Sequence, residues 1–189
     1  MNYFDFFGLP LSFVVDGNAL KKAYLQNSKK YHPDFHTLAD ETQQTAMLEQ
    51  STLNNEAYKT LSDPDLRIRY VLELKGLLSM EGEDKPVLSQ DFLMDMMDIN
   101  EALMELEFDF DPARYASTLQ AVHALETELE TAVKPLLENW SETGSSVDVL
   151  TEVRNFFWKK KYLLRISENL SKFAPAFESK GNYNPDDHL

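Results

Sequence analysis

Apolar residues recur at intervals of three and four along nearly the whole chain, and that helical period favours an all-α architecture. No stretch sustains the two-residue alternation of a half-buried strand. Glycine and proline are sparse, 6 and 8 among 189 residues, and they mark the breaks between periodic segments. The breaks predict a short helix over Tyr3–Phe7 closed by Gly8, then a second from an Asp16 N-cap to Tyr31, stopped by Pro33. A third runs from about Asp40 to Leu61. Asp63-Pro64 supplies an N-cap followed by proline in the first turn, which starts a fourth helix ending near Gly76. Leu77–Leu88 reads as a connection. Three longer helices follow: Ser89 to Phe108, Asp111-Pro112 to Trp140, and Val147 to Phe173. Their short connections predict an antiparallel three-helix bundle. The division expected is therefore a first module over 1–75, a linker over 76–88, a helical module over 89–174 and a frayed tail over 175–189.

Charge is distributed unevenly over these modules. The whole chain carries −14, but residues 1–78 hold 8 Lys+Arg against 10 Asp+Glu, and residues 79–189 hold 10 against 22. A nearly neutral half and a strongly acidic half suggest two modules with different partners. The acidic balance argues against nucleic acid, whose phosphates need a basic surface. No run approaches the length of apolar sequence a membrane span needs, and Met1-Asn2-Tyr3-Phe4-Asp5 does not read as a targeting signal. The chain has no cysteine, so thiolate metal sites and disulfides are excluded, and a cytoplasmic location is expected.

The break at Pro33 lies inside His32-Pro33-Asp34. On the preceding helix Leu20, Ala23, Tyr24 and Tyr31 share one face with Asn27, while Lys22, Gln26 and Lys29 lie opposite. On the following helix the inward stripe is Met47, Ser51, Asn54, Ala57, Tyr58 and Leu61. Two helices thus form a hairpin with a stiff, acidic tip and one basic outer face. Asp34 offers a compact anion for an arginine, and Lys22 and Lys29 can steer an acidic partner. A rival reading takes His32, Asp34 and His36 as alternating metal ligands of a hydrolase. Alternation suits an extended strand, which Pro33 and the flanking helices disfavour, and no further ligand cluster has the spacing. No serine–histidine–acid order or glycine-rich phosphate loop supports catalysis either.

In the acidic half, Phe92, Met96, Ile99, Leu103 and Leu106 make a clean inward stripe. Leu93, Met94, Met97 and Met104 fall outside it, beside Asp98, Glu101 and Glu105. A surplus apolar row rimmed by acids reads as an interaction surface, and methionine suits an adaptable one. On the last helix Val149, Val153, Phe157 and Leu164 align as core, which leaves Trp158 off that axis as an exposed anchor.

Residues 1–75 resemble a J domain through His32-Pro33-Asp34 and Ala57-Tyr58-Lys59-Thr60-Leu61-Ser62-Asp63-Pro64. Phe35 stands where a basic residue is common, and Asn27 and Asn54 stand in the core stripe, where they either bond each other across the hairpin or leave a less stable core. Over about 1–174 the chain is similar to the HscB family of specialised J proteins. The match runs through Tyr3-Phe4, Phe7-Gly8-Leu9-Pro10, Arg67, Tyr70-Val71-Leu72, Leu74 and Phe92-Leu93-Met94. The resemblance implies a non-enzymatic co-chaperone that needs no cofactor or metal. His32, Pro33, Asp34, Lys22 and Lys29 would contact a heat-shock-type ATPase chaperone of the HscA/DnaK class and trigger its ATP hydrolysis. The helical arm would hold the iron–sulfur cluster scaffold IscU through Leu93, Met94, Met97, Asp98, Glu101, Glu105 and Trp158. Asp98 is shorter than the family's usual glutamate, and Trp158 replaces a smaller aromatic. A general adaptor for other clients is the nearest alternative. The acidic rims would repel one another, so a monomer is expected.

Overall fold

The computed structural model describes residues 1–32, 40–79, 88–144 and 146–175. The helices are α1 (Tyr3–Phe7), α2 (Gly17–Tyr31), α3 (Glu41–Ser62), α4 (Pro64–Leu74), α5 (Gln90–Phe108), α6 (Pro112–Asn139) and α7 (Val147–Ser171). No strand occurs among the described residues, so the all-α expectation holds. The helix ends fall where the capping residues place them. Asn2 and Asp5 form a reciprocal capping box on α1, and Gly8 closes that helix at φ 65°, a conformation that costs other residues a steric penalty. The Asp16 carboxylate accepts from the amides of Asn18 and Ala19, and that of Asp63 from Asp65 and Leu66. Ser89 has the extended backbone of an N-cap, but its hydroxyl makes no capping bond. Pro135 lies within α6, an exception to the placement of proline at breaks.

The chain divides into two compact units that do not follow its order. One comprises Met1–Asp84 with Leu136–Val153, the other Lys85–Pro135 with Arg154–Leu189. The end of α6 and the start of α7 therefore group with the N-terminal helices, and the division in α6 falls at Pro135.

In the first unit α2 and α3 form the expected hairpin, with α1 and α4 packed beside it. Its core includes Phe4, Phe7, Phe13, Leu20, Ala57, Leu61, Val71 and Leu72. Trp140 is buried in the same unit and meets Phe13 edge-on at 5.0 Å, with Lys75 Nζ 5.8 Å from its ring centroid. Leu78 is buried as well, so the stretch read as a linker begins inside this unit. Residues 80–87 of that stretch, and the expected tail after residue 175, lie outside the described residues.

The polar stripe residues of the hairpin behave differently from the sequence reading. Asn54 is buried, and its Nδ2 donates to the Tyr24 carbonyl at 3.2 Å and to Ser28 Oγ at 3.0 Å. Its Oδ1 has no partner. Those bonds use both amide hydrogens, and the orphaned oxygen takes nothing from Asn27, so an Asn27–Asn54 bond is absent. Tyr24 also stacks on Tyr58 at 4.2 Å, and its hydroxyl donates to Asn55.

In the second unit Phe92, Met96, Ile99, Leu103 and Leu106 of α5 are all buried, as their spacing requires. They pack with Tyr115 and Val122 of α6 and with Leu163, Ile166 and Leu170 of α7. Glu126 accepts from Ser167 and Glu130 pairs with Lys160, so α6 and α7 run antiparallel. Phe92 meets Tyr162, and Phe110, just beyond α5, stacks on Phe173, so α5 and α7 run in the same direction. The result is an up-down-up arrangement.

Of the stripe read on α7 from the sequence, Val153 is buried as expected, but each other member lies one residue away from a buried side chain. Leu150, Val153, Phe156, Leu163, Ile166 and Leu170 are buried, whereas Val149 and Phe157 are half-buried and Leu164 is exposed. Apolar residues occupy both members of the adjacent pairs 149/150, 156/157 and 163/164, so a wheel drawn from α7 alone cannot fix the phase. The tertiary partners on α5 and α6 fix it instead.

Candidate functional site

The basic surface grows from the amphipathicity of α2. With Leu20 buried and Ala23, Tyr24, Asn27, Ser28 and Tyr31 turned partly inward, Lys21, Lys22, Leu25, Gln26 and Lys29 are left exposed. These exposed residues and Asn18 line one shallow groove, whose apolar element is Leu25, 55% exposed. An apolar side chain framed by three lysines suits an acidic surface with a small hydrophobic contact. Lys30 Nζ lies 5.0 Å from the Tyr31 ring centroid at the end of the helix. His32 follows as the C-cap, extended and exposed. Pro33, Asp34 and His36 lie outside the described residues, as does the residue after the tripeptide, Phe35. Among the described residues no cluster of histidine and carboxylate could hold a metal ion.

The base of that hairpin is held by Arg67. Its Nε donates to the Phe13 carbonyl at 2.7 Å, and its Nη1 donates to the Leu61 carbonyl. Burial pulls this guanidinium below its ordinary value, opposed by the carboxylate of Asp63. Tyr70, on the same helix, accepts a hydrogen bond from the Tyr3 amide at 3.0 Å and stacks on the Tyr3 ring at 4.5 Å. Burial raises both phenols above 10.0, and Glu56 and Glu73 add to the shift at Tyr3.

The second surface is the outer face of α5. Leu93, Met94, Met97 and Met104 are 45%, 58%, 71% and 70% exposed, the reverse of the buried stripe on the same helix. Asp98, Glu101 and Glu105 are exposed among them. Met97, Asp98, Glu101, Met104 and Glu105 line a single open groove that continues past Phe108 to Asp109, Asp111 and Arg114. Arg114 forms an ion pair with Glu105. The groove thus combines flexible thioethers with a dense carboxylate rim and one cation already paired.

Trp158 does not line that groove. It is half-buried rather than freely exposed, edge-on to Phe157 at 5.3 Å, with Lys161 Nζ 5.3 Å from its ring centroid. It shares a separate depression with Leu88, Tyr162 and Leu164, beside Lys161 and Arg165. Sequence reasoning passed over two exposed side chains, Phe108 and Leu25. Phe108 stands four residues after Met104 and was legible at that spacing. Leu25 has only its isolation among lysines to mark it.

Residues 2–70 match the family model described as DnaJ domain, and residues 88–171 match the one described as HSCB C-terminal oligomerisation domain. Two curated relatives from Vibrio cholerae serotype O1 strains, each named Co-chaperone protein HscB homolog, are 37% identical over 112 residues. That stretch is 59% of this chain and 65% of the relative, so the match spans just under two thirds of the length of these proteins. Among solved structures, the chaperone HscB from Vibrio cholerae superposes with a TM-score of 0.63 at 25% identity, covering 94% of this chain and 99% of that one. The human co-chaperone protein HscB superposes with a TM-score of 0.66 at 29% identity, covering 93% and 83%.

Proposed function

We propose that this chain, which belongs to the HscB family of J-domain proteins, is a co-chaperone that carries the iron–sulfur cluster scaffold IscU to a heat-shock-type ATPase of the HscA/DnaK class. The observation that carries the reading is the second apolar row of α5, opposite its buried one and open to solvent. A helix that has already satisfied its core has no folding use for Leu93, Met94, Met97 and Met104, and an exposed row of this kind fits a partner. The client contacts proposed are Leu93, Met94, Met97, Asp98, Glu101 and Glu105, with Trp158 from the separate depression on α7.

The first unit supplies the other engagement. Lys22 and Lys29 frame the approach of the ATPase, and His32, Pro33 and Asp34 make the contact that triggers hydrolysis. The chain performs no chemistry itself. Holding client and ATPase together raises the effective concentration of one at the other without any new contact between them. A chain without cysteine fits a reducing compartment, and we place this activity in the cytoplasm.

Steady-state ATP hydrolysis by the partner chaperone tests the reading. Stimulation by this protein that disappears in Asp34→Asn supports it. Equal stimulation by the variant would remove the role assigned to Asp34. Asp34-dependent stimulation that ignores IscU would favour a general adaptor for other clients.

A further inference from the structure

Phe108 is 94% exposed, more than any other large apolar side chain among the described residues. It ends α5 after the core stripe has already been completed by Leu103 and Leu106, which are 7% and 2% exposed. It therefore contributes nothing to the packing of the bundle. Its position is not random, however. Met97, Glu101, Met104 and Phe108 follow one another at intervals of four, three and four, one ridge on a single helix face. That ridge lines one continuous groove, which runs from Met97 and Asp98 to the corner between α5 and α6.

We infer that the client-holding surface extends beyond Glu105 to this corner, with Met104 and Phe108 as two further apolar anchors. The inference rests on the client reading above and adds to it the chemistry of the partner's contact. Asp98, Glu101, Glu105, Asp109 and Asp111 line the groove against a single guanidinium, that of Arg114, which is already paired with Glu105. An occupant that buries Met104 and Phe108 must also offset this negative rim. The face that fits is an apolar side chain or two flanked by lysines or arginines. A second copy of this chain fits poorly, because its matching groove carries the same carboxylates. Continuity with Met97, Asp98, Glu101 and Glu105 assigns the groove to the same client rather than to a separate protein. Phe108 supplies the large, rigid contact area typical of an interface anchor, and Met104 the adaptable one.

Titration calorimetry of the full chain with purified IscU tests this, comparing wild type, Leu93→Ala, Met104→Ala and Phe108→Ala. All three positions are exposed, so the variants retain the fold. The expected result is about a tenfold weaker Kd for Phe108→Ala, and a smaller loss for Met104→Ala. ATPase stimulation without IscU stays at the wild-type level. Weakening by Leu93→Ala alone, with Met104→Ala and Phe108→Ala matching wild type, overturns the extension and leaves the client reading standing. No binding by wild type overturns both. Light scattering that shows a concentration-dependent dimer, lost in Phe108→Ala while IscU affinity is unchanged, gives the groove to a second copy and overturns the inference.

Discussion

The Arg67 guanidinium donates from Nε to the Phe13 carbonyl at 2.7 Å, which ties α4 to the loop between α1 and α2. Through Nη1 the same side chain reaches the Leu61 carbonyl at the end of α3. Three segments of the hairpin's base are therefore joined by one planar fork. Arg67→Lys keeps the charge but cannot reproduce two bonds in fixed directions. It should lower the unfolding free energy of the first unit by about 2 kcal/mol, the usual scale for charge-assisted bonds to partly buried carbonyls. Urea unfolding followed by far-ultraviolet circular dichroism reads this directly. An unchanged midpoint would show that the fork is dispensable.

Trp140 predicts a larger effect from a position distant in sequence. It is 6% exposed, edge-on to Phe13 and beneath Lys75. Trp140→Ala should destabilise by about 3–5 kcal/mol, since it removes a large side chain and leaves a cavity against Phe13. Tryptophan fluorescence during unfolding separates this residue from Trp158. Loss of the more blue-shifted emission should mark the variant.

The orphaned oxygen of Asn54 makes a prediction of opposite sign. Its amide hydrogens are bonded to Tyr24 and Ser28, but Oδ1 is buried without a donor. An unsatisfied buried acceptor costs about 1–3 kcal/mol, comparable to what the two bonds contribute. Asn54→Leu, with the same branching and number of heavy atoms, removes both at once, and the apolar burial it adds at this site should raise the thermal midpoint of the first unit rather than lower it. A fall of several degrees would show that the Tyr24–Asn54–Ser28 bonds outweigh the orphan.

Alkaline stability follows from the tyrosine pair. Tyr3 and Tyr70 hold their phenolic protons above the ordinary 10.0, chiefly because they are partly buried. Between that value and the raised native ones, the folded protein binds more protons than the unfolded chain. Stability therefore falls as pH rises above 10.0, and the two groups add no slope well below it. Tyr70→Phe should flatten this fall. Denaturant midpoints measured on both sides of pH 10.0 would check it, and an identical slope in the variant would contradict it.

These residues also mark what was legible in the sequence. Ends of α1, α2, α3 and α4 were legible because Gly8, Asp16, Asp63 and Pro64 act locally, through backbone bonds within a few residues. The two faces of α5 were legible because its apolar residues separate cleanly on a wheel. On α7 they do not separate: Phe156-Phe157 and Leu163-Leu164 offer two equivalent stripes, and only the partners on α5 and α6 choose between them. Choosing the wrong stripe also left Trp158 more exposed in the sequence reading than in the structure. The grouping of Leu136–Val153 with the first unit was hidden for a related reason. It depends on Trp140 meeting Phe13, and no local pattern records a contact across that span of chain.

If one chain engages client and ATPase through separate surfaces, as proposed, variants of the two surfaces must separate the two functions. ATP hydrolysis by the partner chaperone would be measured with and without IscU, using wild type, Asp34→Asn and the double variant Leu93→Ala/Met97→Ala. Asp34→Asn should abolish stimulation under both conditions, whereas the double variant should keep the basal stimulation and lose only the increment due to IscU. An IscU increment of wild-type size in the double variant would contradict the assignment of the exposed α5 face.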